Sequence, residues 1–200
     1  MTAIVVPFSG AGGKQRLDAP ADVRASLALA MLGDVVTACV VTAPTVVVTS
    51  DADGAALARE LGARVVDDSG GGQGAAVAAA LTGVEDGPVL VVNADLPCVV
   101  PHDLRTLAGA AELGAFGFVQ AGDGTTNALA LPSPAAFAPL YGPGSAERFR
   151  AHAAAAGLDA MPAAIPNLVD DVDTLADLAA VTLRAGPRTQ AAAGELDSAG

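Results

Sequence analysis

Lys14 is the only lysine in the 200 residues, and with Arg16 it follows a run of small residues, Ser9-Gly10-Ala11-Gly12-Gly13. A glycine loop lets backbone N–H groups approach a ligand, and two cations beside it add charge, so this segment suits a phosphate. The same residues equally describe a solvated loop with two surface cations. The spacing Gly-Ala-Gly-Gly-Lys-Gln-Arg fits neither G-x-x-x-x-G-K-[ST] nor G-x-G-x-x-G, which removes the main support for a P-loop ATPase or a nicotinamide oxidoreductase.

Carboxylates supply the second kind of chemistry. Asp95 follows an apolar run, Pro88–Val92, and lies in Asn93-Ala94-Asp95-Leu96-Pro97, where it would either hold a divalent cation or cap the next turn. Asp170, Asp171 and Asp173 crowd three carboxylates into four residues, and Asp171 and Asp173 share a side if the segment is extended. Like charges this close need a cation or cost stability. Asp173 also stands where it would serve as the N-cap of a following helix. Two further loops, Gly122 to Asn127 and Tyr141-Gly142-Pro143-Gly144-Ser145, carry small residues and hydroxyls. The second precedes a helical pattern, so it reads as an anion-binding helix start or as a plain turn. His102 and His152 are not spaced as a metal pair and receive no role.

These residues must be carried by strands and helices. Ala3–Pro7 is a β-branched run emptying into the glycine loop, and residues 21–40 repeat apolar positions at helical spacing. Thr45–Thr49 and Arg64–Val66 read as strands around a helix over Asp53–Leu61. A helix over Ala75–Leu81 leads to the strand Pro88–Val92, and His102–Leu113 is again helical. Phe116–Gln120 and Asn127–Leu131 pattern as a strand pair, and Ser145–Ala156 as a helix. The last periodic segment is Asp173–Leu183. Alternation of strand and helix predicts a single-domain, Rossmann-like α/β fold: a mostly parallel central sheet flanked by helices, with a small antiparallel part. The domain is expected over residues 1–184. Residues 185–200, rich in Ala and Gly without periodicity, are expected to be a mobile tail.

Composition narrows the partners. Apolar residues make up 52% and charged residues 16%, enough for a continuous core, and the formal charge is −12. Such a field repels nucleic acid, so the expected partners are small molecules held at a focal site. Cys39 and Cys98 form no metal or redox motif, which suits a reducing cytoplasm. No apolar run is read as long enough for a membrane span.

In order along the chain, Val5-Val6-Pro7 with Lys14-Gln15-Arg16-Leu17, then RASLALAMLGD (24–34), Val47 to Asp51, Asn93 to Pro97, Gly124 to Leu129, Tyr141 to Ser145 and Asp171 to Thr174 resemble one family. It is that of the phosphoenolpyruvate or 2-phospho-L-lactate guanylyltransferases of coenzyme F-420 biosynthesis, within the molybdopterin-guanylyltransferase-like nucleotidyltransferases. The resemblance spans residues 3–183. It implies transfer of GMP from GTP to a small phosphorylated carboxylic acid, phosphoenolpyruvate foremost or 2-phospho-L-lactate, with release of pyrophosphate. It also implies Lys14 and Arg16 on the triphosphate, with Gly10, Gly12, Gly13 and Gln73 beside the nucleotide. Asp95, Asp171 and Asp173 would hold Mg2+, with Asp95 central to catalysis, and Thr126, Gly142 and Ser145 would contact the acceptor. Two positions depart from the family pattern. Ser9 stands where members commonly carry a further Lys, and Gly72-Gln73-Gly74 lacks an Asn they carry there. Those departures keep two alternatives open, another transferase of the wider class and a nucleotide-binding protein that has lost catalysis.

Overall fold

The computed structural model describes residues 2–10 and 17–199. Strand β1 (Ala3–Pro7) takes the centre because its middle residues are apolar on both faces, and only a position covered from both sides buries them. A parallel neighbour flanks it on each side. Val5 stands opposite Val46 of β2 (Thr45–Val48) and opposite Val91 of β4 (Val89–Val92). With β3 (Arg64–Val66), β5 (Phe116–Gln120), β6 (Thr126–Leu131) and β7 (Ala160–Pro162), the sheet order is β3-β2-β1-β4-β6-β5-β7. β6 alone runs against the other strands, pairing antiparallel with both β4 and β5. The expected mostly parallel sheet with a small antiparallel part is therefore what forms.

Side chains alternate across the strands, so Ile4 and Val6 enter one core and Val5 the other. The first face is covered by α1 (Ala21–Val40), α2 (Ala52–Glu60), α4 (Pro101–Glu112) and the short α6 (Pro166–Val169), which contribute Leu32, Val35, Ala58, Leu104, Leu107 and Leu168. The second face is covered by α3 (Gln73–Leu81) and α5 (Ser145–Ala155) through Val77, Ala80, Phe149 and Ala153. The chain winds outward from β1 to β3, and α3 then carries it back over the sheet to β4 on the far side of β1. This reversal makes the carboxyl ends of β1 and β4 the switch point where open α/β sheets bind ligands.

Helix α1 spans the residues read as helical from the sequence, but it departs from the expectation that no apolar run is long enough for a membrane span. At 20 residues it is long and apolar enough to cross a membrane by length and composition, but 56% of its most apolar window is buried inside the protein, as a core helix requires. The final helical pattern is also shorter than expected. It is α7 (Leu175–Val181), and its N-cap is Thr174 rather than Asp173, with Asp177 returning a bond to the Thr174 amide.

The expectation of a mobile tail is corrected by helix α8 (Pro187–Ala199), which packs along α1. A third apolar cluster joins Leu27 and Met31 of α1 to Leu178 and Val181 of α7 and Ala193 of α8. The helix start is fixed by Asp34, a buried carboxylate of α1 that accepts from the amides of Arg188 (3.1 Å) and Thr189 (2.8 Å). Those amides lie at the positive end of a helix, where an anion is favoured. The Ala-rich sequence gives no periodic sign of this, because its anchor is 154 residues upstream. Asp34→Ala leaves these amides without their acceptor, at a cost of about 1–3 kcal/mol. Thermal denaturation should then show a melting temperature lower by about 2–10 °C. An unchanged midpoint would mean that α8 contributes nothing to the fold.

Candidate active site

Two segments reach the switch point at the carboxyl edge. One continues from β4 through Asn93 to Asp95; the other is the irregular stretch between α6 and α7. A backbone bond from the Val172 amide to the Asp95 carbonyl (3.1 Å) ties them together. Val172 is fully buried in the third apolar cluster, and its neighbours on either side, Asp171 and Asp173, approach Asp95. One carboxylate oxygen from each of Asp95, Asp171 and Asp173 lies within 4.8 Å of the others. Asp170 stays apart from that group and pairs with Arg184 at 2.7 Å.

Three converging carboxylates are a hard, anionic donor set of the kind that binds Mg2+, Mn2+ or Ca2+. Their electrostatics fit such a cation. Burial, and then the charge of Asp95, push the Asp171 carboxyl up from 3.8 to about 6; Asp173 adds to the rise, while a hydrogen bond from Asn127 opposes it. Asn127 is the residue that sequence reasoning left without a role. It is buried at the start of β6, and its Nδ2 donates to the carbonyls of Leu168 (3.1 Å) and Val169 (2.9 Å) and to Asp171 Oδ1 (3.3 Å). A single amide thus sets the path of the acidic segment and aims one of its carboxylates. Its only sequence signal is a polar residue at the head of an otherwise apolar strand.

Beside the carboxylates, a cleft of about 280 Å³ is lined by Pro7, Phe8, Ser9 and Gly10 from the end of β1, Ala28 and Met31 from α1, Asp68, and Gly72, Gln73 and Ala76 around the start of α3. Asn93, Ala94 and Asp95 close it. Gly10 and Gln73, both expected at the nucleotide, therefore share one cleft with Asp95. Gly12, Gly13, Lys14 and Arg16 lie outside the described residues. Gln73 Nε2 donates to Asn93 Oδ1 (2.7 Å), and Asn93 Nδ2 donates to the Thr126 carbonyl (3.3 Å). At Gly74, a Cβ would stand 2.6 Å from Pro139 Cβ and 3.0 Å from its Cα, so a larger residue there requires the Pro139 segment to move.

The hydrogen-bonded chain continues to the other expected residues. Because β6 is antiparallel to β4, its first residue, Thr126, lies at the edge where β4 ends. Ser145, the first residue of α5, donates from Oγ to Thr126 Oγ1 (3.1 Å), and both side chains are buried. Gly142 sits in the loop before α5 at φ +107°, a conformation L side chains rarely adopt, and its carbonyl accepts from the Ser145 amide. The fold thus gathers Gly10, Gln73, Asp95, Thr126, Gly142, Ser145, Asp171 and Asp173 along one linked edge. His152 is elsewhere, edge-on to Phe116 with a ring nitrogen 3.1 Å from the Ala136 carbonyl.

Residues 24–169 match the model of the MobA-like NTP transferase domain. A phosphoenolpyruvate guanylyltransferase from Streptomyces scabiei is 42% identical over 96% of this chain and 96% of its own length. One from Nocardia farcinica is 43% identical over 84% of this chain and 78% of its own. Among solved structures, a protein described as a nucleotide-diphospho-sugar transferase from Desulfovibrio desulfuricans superimposes with a TM-score of 0.80 at 17% identity, covering 98% of this chain and 95% of that one. A nucleotidyl transferase from a Methanothermobacter species gives 0.65 at 15% identity over 90% of this chain and 95% of its own. The sequence relatives agree with the resemblance drawn from the motifs, and the structural ones share the fold.

The raised Asp171 carboxyl has a signed consequence for stability. Without a cation, the native state keeps the Asp171 proton up to about pH 6, whereas the unfolded chain releases it near 3.8. Stability of the cation-free protein should therefore fall as pH rises through that interval. A cation needs the ionised form, so its stabilising effect should grow over the same range. Melting temperatures measured from pH 4.5 to 8 in EDTA and in Mn2+ should diverge as pH rises through about 6. Parallel curves would contradict a cation site at Asp171.

Proposed function

As the chain belongs to the MobA-like NTP transferase family, we propose that it is a guanylyltransferase that moves GMP from GTP onto a small phosphorylated carboxylic acid, phosphoenolpyruvate foremost, in coenzyme F-420 biosynthesis. The observation that carries this reading is that Asp95, which lines the cleft bounded by Gly10 and Gln73, converges with Asp171 and Asp173. A phosphate oxygen of the acceptor attacks the α-phosphorus of GTP, the bond from that phosphorus to the β-phosphate bridging oxygen breaks, and pyrophosphate leaves. The acceptor phosphate is already ionised near neutrality, so no protein base or nucleophile is required. What the site must supply is alignment of two anions and relief of their repulsion.

Each residue in the proposal answers one of these demands. Lys14 and Arg16, with the amides of Gly12 and Gly13, hold the triphosphate. Gly10 and Gln73 border the nucleoside, and Asp95, Asp171 and Asp173 hold Mg2+. When bound, Mg2+ would supply charge neutralisation at the phosphoryl oxygens and the leaving pyrophosphate. The Thr126–Ser145 pair and the Gly142 loop receive the acceptor's phosphate and carboxylate. The reading has the protein act in the cytoplasm on small molecules, since its net charge of −12 opposes a polyanionic partner.

A second reading rests on Ser9, which occupies a position lining the cleft where a further cation would aid phosphate binding. There the protein binds nucleotide without turnover. Pyrophosphate release separates the two, measured with Mg2+ while crossing GTP, ATP and CTP against phosphoenolpyruvate, 2-phospholactate and 3-phosphoglycerate. The expected outcome is turnover with GTP and phosphoenolpyruvate, reduced at least about 100-fold in Asp95→Asn, the scale on which loss of a transition-state electrostatic group acts. No turnover in any pairing, with GTP still raising the melting temperature, would contradict the transferase and favour the binder.

A further inference from the structure

We infer that Arg148 is a positioning residue for the acceptor: its guanidinium orients the peptide units of the loop before α5 so that their amides face an anion, without touching that anion. This inference rests on the assignment of the Gly142 loop to the acceptor. Arg148 lies one turn into α5, three residues after Ser145, and folds back over the loop that leads into the helix. Its Nε and one terminal nitrogen donate to the Leu140 carbonyl (3.2 and 2.9 Å). The same terminal nitrogen also donates to the Tyr141 carbonyl (3.0 Å), and the other donates to the Pro143 carbonyl (2.5 Å). One side chain thus collects three of the four carbonyls between Leu140 and Pro143.

In a trans peptide the carbonyl and the following N–H point in opposite directions. Drawing in the carbonyls of Leu140, Tyr141 and Pro143 therefore turns the amides of Tyr141, Gly142 and Gly144 away from the guanidinium. Among the described residues these three amides donate to no acceptor, whereas the neighbouring Ser145 amide is used by the Gly142 carbonyl and the Ala146 amide by the Gly124 carbonyl. Successive amides left open in a turn form a concavity that suits a carboxylate or phosphate oxygen. Gly142 and Gly144, at φ +107° and +70°, permit the necessary bends. The loop is anchored at its other end by the Ser145–Thr126 hydroxyl bond, which ties it to the edge that carries the carboxylates.

A planar five-donor fork is needed to serve three carbonyls together; a lysine ammonium keeps the charge but not that geometry. Arg148→Lys and Arg148→Met therefore separate positioning from direct attraction. Steady-state kinetics should show the KM for phosphoenolpyruvate raised about tenfold or more in both variants, with the KM for GTP within about twofold of wild type and the melting temperature little changed. Recovery of wild-type KM by Lys alone would overturn the inference, because the charge would then act on the acceptor directly. Unchanged kinetics in both variants, or a joint rise of both KM values with a lowered melting temperature, would overturn it as well. Absence of turnover in the wild-type protein with any acceptor would instead defeat the assignment of the site, and this inference with it.

Discussion

Three carboxylates that repel one another are held together at the end of a parallel sheet, and the fold around the site is arranged to sustain that repulsion. Asp95 comes off the central strand β4, and Asp171 and Asp173 come from a segment more than 70 residues later in the chain. The Val172 amide on the Asp95 carbonyl and the buried Val172 side chain secure the second segment, while Asn127 grips it from the sheet. The strain is visible in the Asp171 carboxyl, which burial and Asp95 push to about 6 despite the bond from Asn127. A site with a purely structural purpose gains nothing from such an arrangement. A divalent cation converts the same repulsion into binding.

The antiparallel strand β6 is what joins the two halves of the site. A parallel strand in that place would bring its last residues to the carboxyl edge; β6 brings its first, Thr126 and Asn127. Thr126 connects through Asn93 to Gln73 in the cleft and through Ser145 to the loop before α5, and Asn127 connects to the carboxylates. The positions proposed for nucleotide, cation and acceptor are consequently linked through two adjacent residues on one strand.

Much of this was legible in the sequence, for physical reasons. Val89–Val92 is apolar throughout because it is covered on both faces, and a carboxylate following such a strand falls at the ligand edge. Asp171 and Asp173 share a side because alternate residues do. What the sequence concealed depends on partners far away in the chain. Asn127 reads as an ordinary polar residue until Leu168 and Val169 are placed beside it. Helix α8 reads as a tail because its start is capped from α1 by Asp34, and α1 is apolar along most of its length because it is buried against the sheet on one side and meets α7 and α8 on the other. Thr174 displaces Asp173 as a helix cap, which leaves the Asp173 carboxylate with the cluster. Arg148 gave no local sign at all, since its partners are main-chain carbonyls.

The most direct test of a repulsive site rescued by a cation is Asp171→Asn, an exchange that removes one charge while preserving shape and the ability to accept from Asn127. Its melting temperature in EDTA at pH 8 and its rate of pyrophosphate release with Mg2+ should be measured beside wild type. The account predicts a higher melting temperature than wild type, together with loss of turnover. A lower melting temperature with turnover retained would contradict it, because Asp171 would then be a structural carboxylate and not part of a cation site.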